Sequence, residues 1–142
     1  MNQQTARLWL EIACGTTAAV GVGMALLALP AATDATAWLS AFVFGEPGGG
    51  GASTPLTRLL AAISGGVLAG WAISLWVVVR RIHARDPALV RAILLPGLLV
   101  WFLIDSTGSL ISGGGINVIG NLGFLVLFGV PLLSEGSRGA ER

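Results

Sequence analysis

Few residues in this chain are equipped for chemistry, and most of them fall on three short stretches. "WFLIDSTGSL" (101–110) sets Asp105 in an otherwise apolar run, flanked by Trp101 and Ser109. "GINVIGN" (115–121) supplies Asn117 and Asn121, and "TPLTRLL" (54–60) carries Arg58. A carboxylate, a guanidinium and two carboxamides can form an ion pair, a hydrogen-bonded ligand pocket or an ion-coupling site. They do not make a catalytic centre. The sequence holds no nucleophile–base pair, no zinc-ligand set, no Cys pair and no nucleotide-binding motif. One interior carboxylate and one histidine, His83, in a chain without lysine leave acid–base machinery thin. The expectation is a non-enzymatic protein, with no cofactor and no metal.

These residues are positioned by elements that composition identifies. Of 142 residues, 54% are hydrophobic and 11% charged, with mean hydropathy +0.83. A soluble domain carries about a quarter charged residues. Long apolar runs with so little charge predict an integral membrane protein whose main partner is the lipid bilayer. A net charge of +1 gives no field to attract nucleic acid. Cys14, the sole cysteine, excludes an intrachain disulfide and reads as a small packing residue.

Four runs are long enough to span: 8–29, 56–79, 88–112 and 116–133. Backbone groups in lipid must be satisfied within the segment, so each reads as a helix. The fold class is therefore all-α, a polytopic four-transmembrane-helix bundle forming one domain over 1–142. Orientation follows the arginines. Arg7, Arg80, Arg81, Arg85, Arg91, Arg138 and Arg142 fall on one side and Arg58 alone on the other. The positive-inside rule then places both termini, the link 80–87 and the tail 134–142 in the cytoplasm of a bacterial inner membrane. It turns the loop 30–55 and the short turn 113–115 outward. A cleaved signal peptide is the competing reading of the first run, although no clean A-x-A site follows it.

The outward loop contains "TDATAWLSAFVF", with Trp38, Leu39, Phe42 and Val43 on one helical face and Thr33 or Asp34 available as a cap. It predicts a short interfacial helix, either anchored at the headgroups or covering the mouth of the bundle. "EPGGGGASTP" reads as a helix-breaking link, without the context of a phosphate loop. In "RRIHARDP", Asp86 and Pro87 read as cap and first helical residue, with His83 a solvated loop residue.

Small residues at four-residue steps predict how the first two spans pack. Gly15, Ala19 and Gly23 form one ridge; Ala62, Gly66, Gly70 and Ser74 form the other, with Gly65 and Ala69 beside it. The same ridges suit a homo-oligomer or another membrane-protein partner. Pro96-Gly97 predicts a kink or a loosened turn in the third span.

Depth then brings the polar residues together. Asp105 lies about 25 Å along the third span from Ala88, at 1.5 Å per residue, and so in the outer half. Arg58 opens the second span and Asn117 and Asn121 open the fourth, at comparable depth. An intramembrane charge is expensive, which favours an Arg58–Asp105 pair supported by Asn and Ser. Arg58, Trp101, Asp105, Ser109, Asn117 and Asn121 are the candidate binding residues. They serve either as structural pins or as a small-molecule pocket rimmed by Trp101 and covered by the Trp38 helix. The other functional reading is a small oligomeric transporter or channel subunit with Asp105 coupling an ion.

"AISGGVLAGWAISLW" (62–76) and "WFLIDSTGSLISGGGINVIGN" (101–121) together resemble small four-span bacterial inner-membrane proteins of unknown function. The resemblance covers spans two to four. It implies fold and location and brings no activity with it. A looser similarity to DoxX-like four-helix bundles is architectural and licenses no oxidoreductase reading.

Overall fold

The computed structural model describes residues 1–45 and 54–134. Each long helix starts at a local signal. Asn2 caps α1 (Gln3–Leu26) by accepting from the Thr5 amide at 2.7 Å. Thr54 caps α3 (Pro55–Ile82), and Asp86 caps α4 (Pro87–Ile111), accepting from the Leu89 amide at 2.8 Å. Both place proline in the first turn, where its missing N–H costs nothing. Between α1 and α3 lie a 3₁₀ turn (Pro30–Ala32) and the short α2 (Thr33–Phe44); α5 runs Gly115–Ser134. The described residues form no strand. The protein is all-helical, and α1, α3, α4 and α5 are long and apolar enough to cross a bilayer. It is a multi-pass membrane protein by that measure.

α1 starts five residues before the expected span and stops three short of its end, α3 overruns its end by three, and the other ends agree to within one residue. Apolarity ends at the headgroups, whereas a helix continues until its backbone is capped. α1 thus takes in Arg7, which pairs with Glu11 one turn later at 2.9 Å. That neutralises the only charge in the first apolar run. α2 matches the expected short helix, but neither Thr33 nor Asp34 caps it. Its cap position is Ala32, and the Thr33 hydroxyl instead donates to the Pro30 carbonyl at 2.7 Å. α4 runs through Pro96 without a break. The glycine run 48–51 and the tail after Ser134 lie outside the described residues.

Packing is uneven. α1 makes its most extensive contact with α3, α4 with α5, and α1 also touches α5; α3 and α4 barely meet. The α1–α3 contact is close, as the small residues require, but another stripe makes it. A Cβ on Gly21 would lie 2.6 Å from the Ala69 nitrogen, and one on Gly65 would collide with the backbone of Gly21 and Ala25. Gly15, Gly23, Gly66 and Gly70 have open space where a Cβ would go. The contact therefore pairs Gly21-x₃-Ala25 with Gly65-x₃-Ala69. The register is set by the longer buried face of α1 (Ala6, Leu10, Ala13, Cys14, Thr17, Gly21), which the glycine spacing does not reveal.

The buried core gathers at one end, where Leu10, Ala13, Cys14, Leu75, Val79, Val90, Leu94, Leu98, Phe128 and Leu132 interlock. The α3–α4 link closes this end. Here His83 departs from the expected solvated loop residue: it is 1% exposed. Gln3 of α1 holds the link by donating to the His83 and Ala84 carbonyls at 3.0 and 3.3 Å. This ties the start of α1 to the link. At the other end the bundle opens, because α3 leans on α1 while α4 leans on α5.

Candidate functional site

α4 and α5 form a helical hairpin through a very short turn. Gly113 takes φ +83°, a left-handed conformation that side chains disfavour, and the Gly114 amide donates back to the Ser109 carbonyl at 2.8 Å. The turn fixes the register of the two helices, and that register aligns their polar residues. The Asn117 amide donates to Ser109 Oγ at 2.9 Å and to Asp105 Oδ1 at 3.4 Å. One turn deeper, the Asn121 amide donates to Ser106 Oγ at 3.2 Å. Ser109 Oγ also lies 3.5 Å from Asp105 Oδ1, at the outer limit of hydrogen bonding. Ser106, Ser109 and Asn121 are buried in this seam.

Beside the seam lies a groove of about 670 Å³ to which all four long helices contribute. Asp105, Asn117 and Asn121 supply its polar end; Trp71, Trp101 and Phe124 are its aromatic walls. Trp101 meets Phe124 edge to face, with ring centroids 6.1 Å apart. Leu98 and Phe128 belong to both groove and core, so they form the floor. On the open side Val67 of α3 and Val100 and Ile104 of α4 are 67%, 56% and 70% exposed. The groove therefore opens sideways between α3 and α4, toward the surface that faces hydrocarbon in a bilayer. Its volume lies in the range of about 300–1,000 Å³ common to small-molecule sites.

Four of the six residues expected from the sequence line this groove: Trp101, Asp105, Asn117 and Asn121. Ser109 stands behind them as the hydrogen-bond partner of Asn117. Arg58 is elsewhere. Its guanidinium donates to Thr33 Oγ1 at 3.2 Å, tying α3 to the start of α2. The expected Arg58–Asp105 pair does not form; the ion pair among the described residues is Arg7–Glu11. The physical reason is the gap between α3 and α4, which separates two groups of similar depth. Nor does the Trp38 helix cover the groove. α2 seats Val43 and Phe44 against Gly114, while Trp38 and Phe42 stack on each other at 5.6 Å, exposed on its far side.

Sequence reasoning missed Ser106, the partner of Asn121, and Trp71, the aromatic wall on α3. Ser106 follows from the register of the turn as the structure places it. Residues equidistant from the centre of the observed turn, Gly113, face each other, which pairs 109 with 117 and sets 121 opposite 105 and its neighbour Ser106; the expected turn 113–115 has its centre one residue later and shifts these pairs. Comparison with protein-family models, curated proteins and solved structures finds no match. Functional inference therefore rests on the geometry.

Proposed function

We propose that this protein is a non-enzymatic membrane binding protein that takes a small amphipathic molecule from the bilayer into the groove between α3 and α4. A single observation carries the reading: a groove of about 670 Å³, apolar and aromatic over most of its wall, holds a carboxylate and two carboxamides at one end. An apolar body fits the walls, and a polar head meets the Asp105–Asn117–Asn121 end. Lateral opening gives access from lipid without passage through water. The arginine distribution supports a bacterial inner-membrane location with both termini and the α3–α4 link in the cytoplasm, which sets the polar end in the outer leaflet.

The test is occupancy. Protein purified in a mild detergent and analysed by native mass spectrometry should retain a lipid-sized adduct, or take up an added single-chain amphiphile at one molecule per chain. A chain that retains nothing and takes up no amphiphile of any head group would refute the reading.

A further inference from the structure

The head group of that molecule follows from what the groove leaves unsatisfied. Asp105 has no cationic partner among the described residues. Its two hydrogen bonds, at 3.4 and 3.5 Å, are long for an ionised acceptor and both fall on Oδ1. Oδ2 accepts none. Asn121, 4% exposed, spends its amide on Ser106 and leaves its carbonyl oxygen without a donor. Asn117 spends its amide on Ser109 and Asp105 and likewise leaves its carbonyl oxygen over. Asn117 and Asn121 have thus spent their amides within the hairpin, and with Asp105 Oδ2 they present acceptors to the groove. Around them stand Trp71, Trp101 and Phe124, whose ring faces attract cations.

Among the described residues, no arginine is placed to supply the missing charge. Arg58 is engaged with Thr33, and Arg7 with Glu11. Arg80, Arg81, Arg85 and Arg91 lie at the α3–α4 link, the opposite end of the bundle. A bare metal ion is a poor complement. Hard cations want about six or more oxygen ligands, and the described residues contain no cluster of metal-ligating side chains.

From these observations we infer that the groove selects an organic cation: a protonated amine on an apolar body, its N–H groups donating to Asp105 and to the Asn117 and Asn121 carbonyl oxygens. This inference rests on the groove-binding reading and specifies its ligand. A primary ammonium offers three donors in a compact head, which matches three acceptors, and its tail lies along Leu68, Val67 and Leu98. An anionic head would meet the carboxylate with like charge. A hydroxyl head would satisfy one acceptor and leave the charge uncompensated.

The experiment uses the full chain in phosphatidylcholine nanodiscs, with empty nanodiscs subtracted, and three radiolabelled probes of equal chain length: dodecylamine, dodecanol and dodecyl sulfate. Dodecylamine should bind saturably and at least about tenfold more tightly than the other two, the factor that a charge-assisted hydrogen bond contributes. Asp105→Asn should erase that preference while dodecanol binding stays unchanged, and Asp105→Glu should restore part of it. Comparable binding of the amine and the alcohol, or preference for the sulfate, would overturn the cationic assignment and leave groove binding standing. Failure of all three probes to bind would overturn both. The ranking on the unaltered chain decides the matter even where a substitution impairs folding.

Discussion

Asn117 reaches across the α4–α5 hairpin to Asp105, its amide 3.4 Å from Oδ1, while the guanidinium of Arg58 turns to Thr33 on another part of the bundle. Asp105 is thus held by a carboxamide from the next helix in sequence and not by the opposite charge of Arg58. A bidentate arginine would have neutralised Asp105 and locked α3 to α4. The carboxamide does neither. It orients one oxygen and leaves α3 free to stand apart, which keeps the groove open.

This arrangement predicts which residues couple energetically. In a double-mutant cycle on unfolding in mild detergent, Asp105→Ala and Asn117→Ala should show an interaction of roughly 0.6–1.7 kcal/mol, the scale of interhelical hydrogen bonds in membranes. Asp105→Ala and Arg58→Ala should be additive within about 0.5 kcal/mol, as expected of residues with no shared partner. Strong coupling of Asp105 to Arg58 would contradict the geometry described here.

The α1–α3 contact predicts a sharp contrast between neighbouring glycines. Gly65 lies against the Gly21 and Ala25 backbone, whereas Gly66 faces open space. Gly65→Val must push the helices apart and should cost about 1–3 kcal/mol or more, since backbone cannot yield as a side chain does. Gly66→Ala should stay within about 0.5 kcal/mol of the parent. Equal effects at the two positions would mean that the close stripe has been misplaced.

Much of this fold was legible because lipid imposes few solutions. Apolar runs of span length must be helices, the proline-led cap at Asp86 marks the start of α4, and Gly113–Gly115 marks the tight return, whereas the Thr54 cap of α3 emerged only from the structure. The same logic put Asp105, Asn117 and Asn121 on one seam. Partner choice was not legible. Depth along a helix can be counted from residue number, but rotation and separation between non-sequential helices depend on packing summed over whole faces. Hence Arg58 was matched to Asp105 by depth and lost to it by a gap. The ridge of Gly15 and Gly23 was likewise passed over for Gly21, which continues the buried stripe of Thr17 and Cys14. His83 was misjudged for a related reason. It is buried at a link that is tied to the start of α1 by a hydrogen bond between residues eighty positions apart in sequence.

Topology yields a labelling prediction. The Gln3–His83 hydrogen bond places the start of α1 and the α3–α4 link at the same end, and the proposed orientation puts that end in the cytoplasm. In a Cys14→Ala background, Ala84→Cys should react with a membrane-impermeant maleimide only after the cells are permeabilised. Ala35→Cys, in α2, should react in intact cells. The reverse pattern would invert the orientation and place the polar end of the groove in the inner leaflet.

Gly97 offers a way to close the groove without disturbing the bundle. It lies on α4 within the groove lining, and a Cβ added there meets nothing within 4 Å. Gly97→Leu should therefore place a branched side chain into the space a ligand body would occupy. Because leucine is also a better helix former than glycine, by up to about 1 kcal/mol in water, thermal stability should hold or rise. Amphiphile uptake should fall at least about tenfold, since a group filling the cavity removes the apolar contacts that hold the tail. Val130→Leu is the matched control, on an exposed face of α5 outside the groove lining, and should leave uptake unchanged. Uptake that survives Gly97→Leu in a folded protein would show that the amphiphile binds somewhere else on the lipid-facing surface. The coincidence of a polar seam with an apolar groove would then carry no function.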